Sequence, residues 1–305
     1  MSIGSGVVPQ PARDFAGAAE RFGALAALDG ARIIPEGRSR FYEHGARTPL
    51  AVVLLHGLTN VPEQWATFAT DLHARGHTVI VPRFPGHGDI DRRGTVLASV
   101  RADDFLATAS AATDIAAGAG ERVVVAGLSI GGAMAAWLAQ RRPDVARCVS
   151  IVPLFGINRF NAPANAALAA ILRALPDFIL PWDPHGTAHE SPPYAYPDFP
   201  TRALAECVRI GLDVHRTARR MPPRGTTAVL LNANEPACNN GLALDIAAAF
   251  GSREAGTCDA VVMQGLPVNH DVIDPTNPNA RIDVVYPRVR TLIETPEQFE
   301  PMPSR

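Results

Sequence analysis

The sequence predicts an α/β fold built on a mostly parallel sheet, and three observations carry that expectation. Short apolar runs rich in β-branched residues recur at 50–55, 78–81, 123–126, 147–152, 228–231 and 260–264. Those around 50–55 and 123–126 are apolar throughout rather than alternating, as expected of strands covered on both faces. Stretches of helical composition separate most of the runs, the pattern of βαβ units. The third observation is the run 123–126, which enters Gly127-Leu128-Ser129-Ile130-Gly131 and then an Ala/Met/Trp/Leu helix. That succession of strand, sharp turn and helix gives a G-x-S-x-G pattern its meaning.

Composition sets the frame. The chain has 305 residues, 47% of them hydrophobic and 19% charged, with a net charge of −2. This suits a soluble chain long enough for one large α/β domain. No long Lys/Arg cluster interrupts it, so it leaves no electrostatic footprint for nucleic acid or an anionic membrane. Neither a secretory leader nor a membrane-length apolar stretch is visible, which predicts a cytoplasmic protein without stable membrane insertion. The cysteines (148, 207, 238 and 258) form no C-x-x-C pair and read as buried small hydrophobes; a bridge from Cys238 to Cys207 or Cys258 is the minor alternative.

In chain order, 14–28 has helical content. Residues 31–34 and 38–42 read as an antiparallel edge hairpin around Pro35-Glu36-Gly37. The strand 50–55 ends in His56-Gly57-Leu58-Thr59-Asn60, and a helix over 62–75 stops at Gly76. After the strand 78–81 comes a rigid turn, Phe84-Pro85-Gly86-His87-Gly88, then a helix over 99–117. The alternation lapses over 154–223, which is rich in Pro, Asn and aromatics such as Phe178, Trp182, Tyr194 and Phe199. We expect an inserted cap here with helices near 163–175 and 200–219, because long aromatic loops in compact domains line binding sites. A helix over 241–250 and a closing helix over 280–294 flank the last strand. With no repeat or linker, residues 1–305 read as one domain with 154–223 as its cap.

The chemistry follows from the serine. The glycines of the turn permit a tightness that side chains would block, and the helix N-terminus behind Ser129 favours developing negative charge. A serine hydroxyl is a weak nucleophile until a base takes its proton, and an acid must hold that base in the right tautomer. On an open α/β sheet these groups lie in loops at the C-terminal strand ends. Of nine histidines, His270 alone follows the last strand; His56 and His87 follow early strands and read as structural. The loop after 228–231 offers one carboxylate, Glu235; Asp274 is the second choice. Backbone amides of Leu58 and Ile130 would hold the oxyanion, with Gly57 letting its backbone come close. No metal or cofactor is required, and no ligand cluster shows in the sequence.

Several stretches together resemble the α/β-hydrolase superfamily, more narrowly its capped esterase, lipase and lysophospholipase-like branch. They are His56-Gly57-Leu58-Thr59, Phe84 to Asp89, Gly127 to Gly132, Asn232 to Asn240 and Leu266 to Asp271. The resemblance implies an eight-stranded mostly parallel sheet, a cap between the sixth and seventh strands and carboxylic-ester hydrolysis. It departs at Glu235, where relatives usually carry Asp. Serine at 129 argues against the branches that use an aspartate nucleophile. The expected partner is a small lipophilic or monoacylglycerol-like ester, cleaved through an acyl-enzyme. A peptidase or amidase of the same fold is the runner-up, which a charged subsite at Asp183, Glu190 or Asp198 would favour. A non-catalytic ligand-binding receptor is the reading from a different class.

Overall fold

Alternate residues of the central strands enter two different hydrophobic cores, and this places the helices. The computed structural model describes residues 3–182, 192–251 and 257–294; Asp183, His185, His189 and Glu190 lie outside them. The order is α1 (Phe15–Ala26), β1 (Arg40–Tyr42), β2 (Thr48–Leu55), α2 (Ala66–Ala74), β3 (Thr78–Val81), α3 (Ala102–Ala119), β4 (Gly120–Leu128), α4 (Ile130–Arg141) and β5 (Val145–Ile151). It continues with α5 (Ala162–Ala174), β6 (Ile179–Pro181), β7 (Asp198–Pro200), α6 (Thr201–Thr217), β8 (Thr226–Asn232), α7 (Asn240–Phe250), β9 (Cys258–Met263) and α8 (Ile282–Glu294). On β2, Leu50, Val52 and Leu54 meet Phe68 and Leu72 of α2 and Val285 and Val289 of α8. The intervening Ala51, Val53 and Leu55 face the opposite core with α3, α4 and α6. A period of two with both faces apolar is the signature of a strand sandwiched between helix layers.

Among the described residues the main sheet has seven strands in the order β1-β3-β2-β4-β5-β8-β9, all parallel except the β1–β3 pair. Seven replaces the eight implied by the resemblance, and the missing strand is 31–34. Its backbone bonds go elsewhere: Ile34 N–H donates to Gly88 O, Ile90 N–H donates to Arg32 O, and Ile33 bridges Asp89. Pro35–Gly37 forms a 3-10 turn rather than a hairpin turn, so β1 pairs with β3 and not with 31–34.

The chain leaves β2 for β3 on one side and returns past β2 to β4 on the other. The reversal opens a crevice at the C-terminal strand ends, where the loops after β2, β4, β8 and β9 meet. Residues 152–182 and 192–225 contain α5, the β6–β7 ribbon and α6, and bring Trp182, Pro192, Ala195 and Phe199 to the cavity at that edge. Tyr196 ties this crossover down: its N–H donates to Thr59 O at 2.9 Å, and its hydroxyl donates to Gly86 O and accepts from Asp89 N–H, both at 2.8 Å. Tyr194 adds a 2.6 Å bond to Asp274. The four cysteines are free, so neither bridge forms. Among the described residues no helix is long and apolar enough to cross a membrane.

Candidate active site

Ser129 sits between β4 and α4 with φ 58° and ψ −117°, a backbone conformation that costs an L side chain on the order of 1–3 kcal/mol. The surroundings over-determine it. Its N–H donates to Ile151 O at 2.9 Å, and its carbonyl accepts from Ala133 and Leu154 N–H, both at 3.0 Å. A Cβ on Gly127 would lie 2.2 Å from the Gly131 carbonyl carbon, and one on Gly131 would lie 2.1 Å from Leu55 O. The glycines of the motif are therefore steric necessities. Gly57 is different, since a Cβ there would meet only ordinary contacts at 3.8 Å. Close backbone approach is not its reason.

The loops after β8 and β9 are laced together by asparagines. Asn232 Nδ2 donates to Pro267 O at 3.0 Å and Asn269 O at 2.8 Å, and Asn234 Nδ2 donates to Leu266 O at 2.8 Å. This fixes His270 against Glu235, with Nδ1 2.8 Å from Oε1. The carboxylate can only accept, so Nδ1 carries a hydrogen, and in the neutral imidazole Nε2 keeps its lone pair. Glu235 Oε1 also accepts from the N–H groups of Ala237 at 2.8 Å and Cys238 at 3.0 Å, which holds the carboxylate in place. Burial disfavours a charged His270, but the adjacent Glu235 outweighs it, and the imidazole's proton affinity is raised well above the ordinary value. Asp274 takes bonds from Tyr194 and Thr276 and makes none to His270.

Ser129, His270 and Leu58 line one cavity of about 430 Å³. Its walls are apolar at Leu128, Phe199 and Val268 and polar at Asn60, Gln64 and Asp271. Trp182 closes one side, its ring 5.7 Å from His270 and 5.8 Å from Phe199. Ile130, fully buried, is the first residue of α4 beside the serine. His56 and His87 are structural. His56 Nε2 accepts from Phe84 N–H and its Nδ1 bonds Gly57 O, while burial holds both imidazoles neutral, His87 down to about 4.

Two groups here were missed by sequence reasoning. Asp271 accepts from Gln64 Nε2 at 2.7 Å, and Gln64 Oε1 in turn accepts Gly57 N–H at 2.9 Å, which joins the histidine loop to the loop after β2. Burial, with Asp274 nearby, pushes the Asp271 carboxyl up to about 6. The other is Cys238, buried beside the His270–Glu235 pair, where burial pushes its thiol up. Glu235, Cys238 and His270 bring one potential metal-ligating atom each to within 4.8 Å of one another, a cluster the sequence did not show. The spacing Glu235-x-x-Cys238 around a proline turn was its only signal.

A family model described as "Alpha/beta hydrolase family" matches residues 52–282, about three quarters of the sequence. The chain belongs to the alpha/beta hydrolase family. Within it, 181 residues are 28% identical to the thermostable monoacylglycerol lipase of Bacillus sp. (strain H-257), covering 57% of this chain and 66% of that relative, just under two thirds of its length. Among solved structures, a metagenome-derived lipolytic enzyme from work on LipS and LipT superposes with a TM-score of 0.67 at 20% identity, covering 86% of this chain and 98% of the other. A soluble variant of the Saccharomyces cerevisiae monoglyceride lipase also gives 0.67, at 11% identity over 86% and 92% of the two chains. The Paleococcus ferrophilus monoacylglycerol lipase gives 0.63 at 17% identity over 84% and 97%. At these identities the structural likenesses speak for the fold.

Proposed function

We propose that this chain is a serine carboxylesterase of the lipase type, acting on small lipophilic or monoacylglycerol-like esters through a Ser129–His270–Glu235 triad. The observation that carries the reading is the 2.8 Å His270–Glu235 bond on two laced loops, facing the same cavity as a strained Ser129. His270 Nε2 takes the hydroxyl proton as Oγ attacks the acyl carbon, and Glu235 stabilises the imidazolium that forms. The amides of Leu58 and Ile130 receive the oxyanion, each contributing roughly 3 kcal/mol to the transition state. His270 then gives its proton to the leaving alcohol, and a water activated by the same imidazole releases the acid. The apolar walls suit an acyl chain and the polar end suits a hydroxyl-bearing alcohol, in line with the substrate named for the Bacillus relative. Residues 154–223 serve as a cap over this cavity.

Nothing described favours the amide reading. Asp198 Oδ1 accepts Gly94 N–H at 2.8 Å in the β7 region, and the other two carboxylates considered for a charged subsite lie outside the described residues. The test is hydrolysis of p-nitrophenyl esters from acetate to decanoate by the native protein and Ser129→Ala, together with an active-site phosphonate label. Turnover and labelling that both disappear in the variant support the reading. Equal turnover by the two proteins would sink it.

A further inference from the structure

We propose that Cys238, together with His270 and Glu235, forms a site for a thiophilic divalent cation of the Zn²⁺ class, and that occupancy of this site stops hydrolysis. The inhibition rests on the triad reading above; the binding does not. Two observations converge. A sulfur, an imidazole nitrogen and a carboxylate oxygen lie within 4.8 Å of one another, on three buried residues. The Glu235 carboxylate is lopsided, because Oε1 receives three donors while Oε2 is buried with no hydrogen-bond partner among the described residues.

The donor set decides the class of ion. One thiolate, one imidazole and one carboxylate make a mixed S/N/O set that Zn²⁺ takes in tetrahedral geometry, with a fourth position left for water or a hydroxyl. Hard cations such as Mg²⁺ and Ca²⁺ ask for oxygen ligands and are poorly served by it. Charge also closes: a dication with one carboxylate and one thiolate leaves a neutral site, which suits a buried position. The thiol S–H bond breaks as the S–metal bond forms, and the proton leaves to solvent. A second proton leaves where the imidazole starts charged. Nδ1 and Oε1 now stand 2.8 Å apart, and two ligands of one tetrahedral ion sit about 3.3 Å apart. A small retreat of the carboxylate, or use of the unpaired Oε2, accommodates the ion.

Inhibition follows from either mode of imidazole binding. If Nε2 holds the metal, its lone pair can no longer take the Ser129 proton. If Nδ1 holds it, the imidazole proton moves to Nε2 and the lone pair is lost in the same way. The cation therefore disables the base without blocking the cavity.

The experiment uses the full chain with cobalt(II) as a spectroscopic substitute and Zn²⁺ as the inhibitor. Native protein and Ser129→Ala should both show a thiolate-to-cobalt charge-transfer band saturating at one ion per chain, and Cys238→Ser should lack it. Zn²⁺ should lower native ester hydrolysis by at least about tenfold, reversibly with chelator, and the half-inhibiting concentration should rise roughly 10–100-fold in Cys238→Ser, each protein being compared with its own metal-free rate. Cys238→Ala repeats the comparison in case the serine variant fails to fold. A band that persists in both cysteine variants, no band in the native protein, or unchanged Zn²⁺ sensitivity would overturn the proposal. The last outcome would move inhibition to a surface pair such as His44 and His73, whose rings stack at 4.1 Å. The two readings also fail separately. A band with Ser129→Ala still fully active removes the triad and leaves the ion site. No band with Ser129→Ala inactive does the reverse.

Discussion

The turn that carries Ser129 and the crossover above it obey opposite rules. At the turn, every degree of freedom is fixed. Two glycines are wedged against backbone, the serine N–H and carbonyl are both bonded, and a strained φ is held by its neighbours. In the crossover, Phe178 is 57% exposed and Trp182 38% exposed, and Leu180 joins them at the surface, while bonds such as those of Tyr196 and Tyr194 anchor other parts of the segment. The contrast separates two tasks. Chemistry requires the nucleophile to be held within fractions of an ångström, whereas substrate choice tolerates walls that can adjust. Changes at the turn should therefore cost rate or folding outright, and changes in the crossover should alter selectivity.

The largest expected effect is loss of the nucleophile. Ser129→Ala should lower kcat for p-nitrophenyl butyrate by about 10⁴-fold or more while leaving the melting temperature near the native value, because alanine keeps the same backbone and loses only one hydroxyl. Next comes the acid. Glu235→Gln keeps the shape but cannot stabilise the imidazolium, so kcat should fall by roughly 10³–10⁴-fold. The pH profile sharpens the assignment. On the proposed triad, His270 works as a base only when neutral, so kcat/KM should fall as pH drops through its raised titration point. Glu235→Gln removes the charge that raises it, and the acid limb of the residual activity should move to lower pH. An acid limb that stays put would give the triad acid to another carboxylate. Gly131→Ala is the structural counterpart: its Cβ would meet Leu55 O at 2.1 Å, and chemical denaturation should report about 3 kcal/mol of lost stability, or no folded protein.

How much of this was legible in the sequence follows the same division. The buried strands announced themselves because residues such as Val52, Val53, Val124 and Val125 are covered on both faces, a purely local consequence of burial. The turn was legible because its glycines fall at a fixed five-residue spacing, although the backbone that requires Gly131 is that of Leu55 on the neighbouring strand. Glu235 and His270 could be named because sheet topology restricts the useful loops, and the structure brings the two together at 2.8 Å. The segment 31–34 was misread because its apolar pattern says only that it pairs with something; its partner, the loop around Gly88, is more than fifty residues away. Cys238 and Asp271 escaped for a related reason. Their neighbours, His270 and Gln64, are brought to them by the fold across intervening elements, and no local spacing records that.

The smallest expected effect tests the crossover. Trp182 stands between His270 and Phe199 at the cavity wall, so Trp182→Ala should enlarge the acyl side without disturbing the triad bond. Burial of a few methylenes against an aromatic ring contributes about 1–3 kcal/mol. The variant should therefore raise KM for octanoate by roughly tenfold or more and barely change acetate, whose acyl group does not reach the ring. Equal losses for both esters would mean that Trp182 positions His270 and not the substrate. In that case the crossover belongs to the fixed part of the molecule, and the boundary between held chemistry and adjustable walls has to be drawn at Phe199 instead.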